Sequence, residues 1–261
     1  MIRMIATDLD NTMLRNDRNF TDYAVSVLNR CREAGVKIVF VTARSRQASE
    51  RILKQFTPDI FIGYGGSVVT AGETIVRRAE IPAVICERLI RDSLAAPAVE
   101  YIHATNESIA LTNKLYDGAG GDFSHFKYSD FTNPIKEGFL KITLCASDPA
   151  VVEAIAARYP SCEMMRYTGE NLYRFANKEA TKWNAVKAAA AYFDIDTNDV
   201  AAFGDDVNDA EMVGKCGAGV AVANAVEAVK KAAKHICGPY TEDGAARWID
   251  KNILSSYCNL T

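Results

Sequence analysis

Residues 8–12 read Asp-Leu-Asp-Asn-Thr and follow directly on the apolar run 4–6, a short predicted strand. Two carboxylates one residue apart repel each other, and a cation between them or a raised pKa is the usual resolution. Open α/β sheets bind their ligands just past the carboxyl ends of their strands. Asp8 and Asp10 are therefore candidates for holding a metal and an anionic substrate. A turn capped by Asp and Thr would use the same residues, so the weight rests on what else arrives at this edge. Thr42-Ala43-Arg44 ends a second apolar run, 37–41, and Gly204-Asp205-Asp206-Val207-Asn208-Asp209 ends a third, 200–203. Magnesium takes octahedral oxygen ligands, often a few carboxylates completed by water and substrate phosphate. Asp8, Asp205 and the main-chain carbonyl of Asp10 could supply such a set. Phosphoryl transfer asks mainly for an in-line nucleophile and neutralised oxygens. An Asp carboxylate can be that nucleophile, and a second carboxylate two residues on can give and take the proton.

The elements that must position these residues alternate. A polar loop, 15–20, leads to a helix capped by Thr21, with apolar residues at Ala24, Val25, Val27, Leu28, Cys31 and Ala34 and a stop at Gly35. Strand 37–41 follows, then a helix over 46–56 behind Ser45, and a third strand, 59–63. Strand-helix-strand order without hairpins implies parallel crossovers. The pattern then changes. Residues 67–81 alternate around Ala71-Gly72 as a hairpin. From 82 to 177 the chain reads as a separate α+β unit: helices over 83–94 and 149–159, and strands over 99–105, 108–112, 140–146, 162–167 and 172–176. Parallel α/β rhythm resumes with a helix over 181–192, strands 200–203 and 219–222, and helices ending near 216, 233 and 253. The expected fold is α/β: a Rossmann-like parallel-sheet core domain, 1–81 and 178–261, interrupted by an inserted α+β domain, 82–177.

Composition narrows the class. Of 261 residues 49% are apolar and 24% charged, the profile of an ordinary globular protein. A net charge of −3 argues against nucleic-acid binding through a general basic surface. No apolar stretch reaches membrane-span length, and the opening Met-Ile-Arg-Met leaves no room for a signal peptide before the first strand. Seven scattered cysteines with no Cys-x-x-Cys pair read as free thiols in a reducing cytoplasm. The three histidines (103, 125, 235) form no ligand pattern.

With these motifs in this order, the chain resembles haloacid dehalogenase-superfamily phosphatases of the Cof-like subgroup, whose cap lies between the second and third motifs. The first motif is 8–12, the second Thr42, the third Lys182 in Asn-Lys-Glu-Ala-Thr-Lys (177–182), and the fourth 204–209. The resemblance spans nearly the whole chain. It implies that Asp8 is the nucleophile and Asp10 the general acid/base. Thr42, the main chain of Ala43 and Arg44 would bind substrate, and Lys182 would neutralise the phosphoryl group and steady Asp8. Asp205 would bind Mg²⁺ with Asp8 and Asp10, Asp209 would support that site directly or through water, and Asn208 would orient phosphate or Lys182. Lys178 competes for the role of Lys182. Three departures stand out: Asn11 where Gly is commoner, Gly65-Gly66 where Asn-Gly is usual, and Arg174 where sugar-phosphate members often carry an acid.

The implied activity is a Mg²⁺-dependent phosphatase that passes through an aspartyl-phosphate on a small phosphorylated metabolite, a sugar phosphate or similar organophosphate. Alternatives are a phosphomannomutase-like phosphotransferase and a non-catalytic ligand-binding protein on the same scaffold. A cytoplasmic monomer or weak homo-oligomer, with no nucleic-acid or membrane partner, is expected. Arg174 is expected to favour a second anionic group, with Asn106, Tyr116 and Tyr173 as further specificity candidates.

Overall fold

A four-residue strand can be buried on both faces only at the middle of a sheet covered on both sides. β1 (Met4–Thr7) is such a strand, with every residue buried. The computed structural model describes residues 1–115, 125–167 and 169–258, so Tyr116 lies outside the described residues. After β1 come α1 (Asp22–Glu33), β2 (Lys37–Val41), α2 (Glu50–Gln55), β3 (Ile60–Gly63) and a hairpin of β4 (Val68–Ala71) and β5 (Thr74–Arg78). Thr21 caps α1, its hydroxyl accepting from the Ala24 amide at 3.0 Å, and Arg30 and Arg32 sit in the last turn. The helix expected over 46–56 is split. Ser49 turns its hydroxyl back onto the Ser45 carbonyl, leaving a 3₁₀ turn, Gln47–Ser49, ahead of α2.

The middle of the chain supplies α3 (Ala83–Leu94), β6 (Val99–Thr105), β7 (Ala110–Thr112), β8 (Lys127–Tyr128), β9 (Lys141–Ala146), α4 (Pro149–Ala157), β10 (Cys162–Arg166) and β11 (Leu172–Asn177). β7 starts two residues later than expected because Asn106 accepts from the Ser108 and Ile109 amides, an Asx turn that competes with the strand. The last third adds α5 (Lys182–Tyr192), β12 (Val200–Gly204), α6 (Ala210–Lys215), β13 (Ala218–Ala221), α7 (Glu227–Ala232), β14 (His235–Ile236), α8 (Gly244–Ile249) and α9 (Ser255–Cys258).

The chain divides into two compact units, Met1–Arg78 with Thr181–Thr261, and Ala79–Ala180. The first, the core unit, holds an eight-stranded sheet ordered β14-β13-β12-β1-β2-β3-β4-β5. It is parallel from β14 to β3 and antiparallel through the hairpin. β1 lies between β12 and β2, with Thr7 opposite Phe203 on one side and Phe40 on the other. The second, the cap unit, holds a six-stranded sheet ordered β10-β11-β9-β6-β7-β8, antiparallel except for β7 with β8. Its own hydrophobic core includes Leu89, Ile102, Ile142, Leu144, Val152, Tyr173 and Phe175, under α3 and α4.

Candidate active site

β1, β2 and β12 run parallel, so their carboxyl ends share one edge of the core sheet, and the chemistry-bearing residues emerge there. Asp8 follows β1 with its amide still bonded to the Phe203 carbonyl, which locks the residue to the sheet at 6% exposure. The chain then turns tightly. The amides of Met13 and Leu14 both bond to the Leu9 carbonyl, and Asn11 sits at φ +56°, a left-handed conformation that Asn tolerates.

Asp205 and Asp209 follow β12. Gly204 makes room for them: a Cβ there would lie 2.4 Å from the Asp209 Cβ. Asp209 is fully buried and uses both carboxylate oxygens. Oδ2 accepts from the Asp205 and Asp206 amides at 3.1 Å each, and Oδ1 accepts from the Lys182 ammonium at 2.6 Å. The same ammonium donates to Asp8 Oδ1 at 2.6 Å. Lys182 opens α5 behind the Thr181 cap and is 3% exposed. Its neighbour in sequence, Lys178, is exposed. Asp205 accepts a hydrogen bond from the Thr12 hydroxyl at 2.9 Å, which ties the two motifs together directly.

The helix that carries Lys182 is seated by a glycine. Gly66, at φ +105°, packs so tightly on the start of α5 that a Cβ would lie 2.2 Å from the Thr181 carbonyl oxygen. Only glycine fits that contact and that backbone angle.

Asp8, Asp205 and Asp209 each offer a carboxylate oxygen within 4.8 Å of the others. Three carboxylates against one ammonium leave a formal charge of minus two, the complement of a divalent cation, and hard oxygen donors suit Mg²⁺. The electrostatics agree. Burial pushes the Asp8 carboxyl up, Lys182 pulls it down, and Asp209 and Asp205 push it up again. Burial, opposed by the Thr12 hydrogen bond and aided by Asp209, raises Asp205 to about 6. Lys182 stays charged, because two carboxylates offset its own burial. A divalent cation would be held by Asp8 and Asp205, with Asp209 anchoring the loop and the lysine.

Asp10 stands apart from this cluster. Its carboxylate is forked by Arg44, whose Nε donates to Oδ2 at 2.7 Å and whose Nη2 donates to Oδ1. Arg44 in this structure thus holds the acid/base candidate. Thr42 is buried, and its hydroxyl accepts from the Arg44 amide at 3.1 Å, which fixes the turn that aims the guanidinium. Ala43 is exposed beside it, and Asn208 is exposed with no side-chain hydrogen bond among the described residues. Arg174 lies in the cap unit on β11, opposite Thr143 and Met165. Two specificity candidates are structural: Asn106 is buried in its Asx turn, and Tyr173 packs in the cap core at 2% exposure. Sequence reading missed the Arg44–Asp10 fork, the Thr12–Asp205 bond and the Gly66–Thr181 contact. Each joins residues from separate elements, and only the paired glycines at 65 and 66 hinted at a close approach.

A sequence model of the haloacid dehalogenase-like hydrolases matches residues 5–249. The 5-amino-6-(5-phospho-D-ribitylamino)uracil phosphatase YbjI of Escherichia coli is 28% identical over 96% of this chain and 96% of its own length. The HMP-PP phosphatase of Shigella flexneri is 25% identical, with 90% of this chain and 89% of that protein aligned. Among solved structures, TM0651 from Thermotoga maritima superposes with a TM-score of 0.82 at 19% identity, covering 96% of this chain and 97% of that one, a likeness of fold.

Proposed function

The chain belongs to the haloacid dehalogenase-like hydrolases and is an enzyme of the phosphatase kind; we propose that it hydrolyses a small phosphorylated metabolite, a sugar phosphate or similar organophosphate, through an aspartyl-phosphate on Asp8. One observation carries the reading: a buried ammonium bridges Asp8 and Asp209 at the strand edge where Asp205 completes an acidic cluster. The names of the relatives, phosphatases of small phosphorylated compounds, support the substrate class.

In the proposed sequence, Lys182 and the Asp8 amide bond to Phe203 hold the Asp8 carboxylate in place. An oxygen of that carboxylate attacks phosphorus as the bond to the leaving alkoxide breaks. Asp10 gives its proton to the alkoxide oxygen, then takes one from the water that attacks the aspartyl-phosphate and frees Asp8. The Arg44 fork occupies both Asp10 oxygens, so it must release one before Asp10 can act. Thr42 and the Ala43 main chain are the proposed cradle for the phosphoryl oxygens, with Asn208 orienting them. Mg²⁺ bound at Asp8 and Asp205 would neutralise the carboxylates and stabilise charge on the transferring group. A cytoplasmic setting suits the six described cysteines, all of them free thiols.

The test is steady-state phosphate release from sugar phosphates, nucleotides, phospho-carboxylates and bisphosphates, with Mg²⁺ and with chelator. Release that needs Mg²⁺ and is lost at least a thousand-fold in Asp8→Asn is the expected result. Bisphosphate-dependent isomerisation of a hexose phosphate, without net release, would overturn it in favour of a phosphotransferase.

A further inference from the structure

β13 runs parallel to β12, so the turn that follows it lands on the same edge of the core sheet as Asp205. The Ala225 amide closes that turn on the Val222 carbonyl at 2.9 Å, and the Val226 amide reaches the Asp205 carbonyl, also at 2.9 Å. Asn224 lies in the turn, exposed, and its side-chain amide bridges two backbone groups. Oδ1 accepts from the Tyr240 amide at 3.1 Å, and the NH₂ donates to the Asn11 carbonyl at 2.9 Å. A carbonyl cannot donate and an amide NH₂ cannot accept, so this orientation alone satisfies both neighbours. Tyr240 is tied to the same loop, its hydroxyl donating to Asn16 Oδ1. Three residues on, the buried Asp243 carboxylate takes the Arg15 guanidinium at 3.1 and 2.8 Å. Residues 224–243 thus grip the loop after β1 at Asn11, Arg15 and Asn16.

Asn11 directly follows the proposed acid/base, Asp10. It sits at φ +56°, and a left-handed residue other than glycine persists where its surroundings over-determine it. The bond from Asn224 supplies such a constraint on the peptide between Asn11 and Thr12, and Thr12 is fixed in turn to Asp205 at 2.9 Å. Asp10 has a second hold in the Arg44 fork, but that fork must free one oxygen before Asp10 can act. One arm of the guanidinium then remains, and the backbone of the turn sets the rest of the carboxyl's aim. A water could satisfy the Asn11 carbonyl in place of Asn224. It could not hold it, because a free water is not attached to the sheet.

We propose that Asn224 is a positioning residue for proton transfer: by anchoring the Asn11 carbonyl to the turn after β13, it aims Asp10 at the leaving oxygen. This rests on the phosphatase reading above. In that step an Asp8 oxygen bonds to phosphorus, the bond from phosphorus to the leaving oxygen breaks, and the Asp10 proton moves to that oxygen. An alkyl ester needs the proton. A dinitrophenyl ester does not, because dinitrophenolate leaves as a stable anion. Loss of the anchor penalises the first and spares the second.

The test compares wild type, Asn224→Asp and Asn224→Ala by kcat/KM, which reports the steps through leaving-group departure. Asn224→Asp keeps the acceptor for Tyr240 and removes the donor to Asn11, and Asn224→Ala removes that donor without adding charge. The substrates are the alkyl phosphate that wild type hydrolyses best and 2,4-dinitrophenyl phosphate. Both variants should lose about ten-fold or more on the alkyl ester and about three-fold or less on the dinitrophenyl ester. Equal losses on the two esters, no loss on either, or a selective loss in only one variant overturns the proposal. Hydrogen exchange gives a second readout, independent of activity. The Met13 and Leu14 amides, which close the Asp10 turn on the Leu9 carbonyl, should exchange faster in both variants while β2 amides keep their wild-type rates. Unchanged exchange at Met13 and Leu14, or equal acceleration in β2, overturns the proposal whatever the kinetics. If wild type hydrolyses neither ester, the phosphatase reading fails and exchange alone decides: selective acceleration upholds the Asn224 anchor, and its absence refutes it.

Discussion

Asp209→Asn isolates what the buried carboxylate contributes, because an amide cannot do what both oxygens do at once. Oδ1 accepts from the Lys182 ammonium at 2.6 Å, and Oδ2 accepts from two backbone amides at 3.1 Å. An asparagine turned with its oxygen to the backbone sets an NH₂ against the ammonium, losing a charged hydrogen bond of about 1.5–3 kcal/mol. Turned the other way, it leaves two partly buried N–H groups without that partner, at no more than about 1–3 kcal/mol each. Removing a negative charge beside Asp8 and Asp205 offsets part of either loss, so the net destabilisation is about 2 kcal/mol. For a chain of this size that is about 4–8 °C in Tm. Asp205→Asn is the matched control. It keeps an oxygen for Thr12 and relieves repulsion within the cluster, so without metal it should lie within about 0.5 kcal/mol of wild type or above it. Thermal and urea unfolding in chelator measure both variants. An Asp209→Asn protein as stable as wild type, or an Asp205→Asn loss of equal size, would refute the reasoning.

Other perturbations follow from the same geometry. Gly66→Ala forces a Cβ against the Thr181 carbonyl at a left-handed φ and should shift the start of α5 and its lysine. We expect a stability loss of about 2 kcal/mol or more, by strain at φ > 0 and overpacking, with a fall in kcat read by phosphate release. A fully active Gly66→Ala protein of wild-type stability would contradict the packing argument. Burial pushes the Cys31, Cys86, Cys216 and Cys237 thiols up to about 12 from an ordinary value of 9.0. As pH rises the unfolded chain loses these protons first, so their stabilising contribution is intact below 9 and fades between 9 and 12. Unfolding free energies from urea melts should fall from pH 8 to pH 10 by about 1.4 kcal/mol per thiol at most, and these four thiols should resist alkylation in the folded protein at pH 8. A flat stability profile over that range would count against their burial.

Much of this was legible because the chemistry sits where strands end, and strands announce themselves as apolar runs. Runs 4–6, 37–41 and 200–203 put Asp8, Thr42 and Asp205 at strand ends that share one edge of a parallel sheet. Lys182 was marked by its place in the first turn of the helix expected over 181–192, at the spacing the family resemblance implies. What escaped was pairing between side chains far apart in sequence. Neither Asp10 nor Arg44 carries a local signal that one will fork the other. The split of the helix near Ser49 and the shortening of β7 by Asn106 also escaped, since both depend on whether a side chain bonds locally rather than leaving the backbone to its regular partners.

The place of β1 at the sheet centre has a consequence for how the protein is made. Its partner on one side is β12, with Met4 opposite Val200. At about 5–20 residues per second of synthesis, that flank stays open for about 10–40 s after β1 is made. The cap unit, with its own core, is completed in the interval. Until the last third emerges, Asp8 lacks Lys182, Asp205 and Asp209. A chain cut short before α5 therefore carries the proposed nucleophile without its counter-charge, and one cut anywhere before β12 offers a bare apolar edge to any passing strand or chaperone.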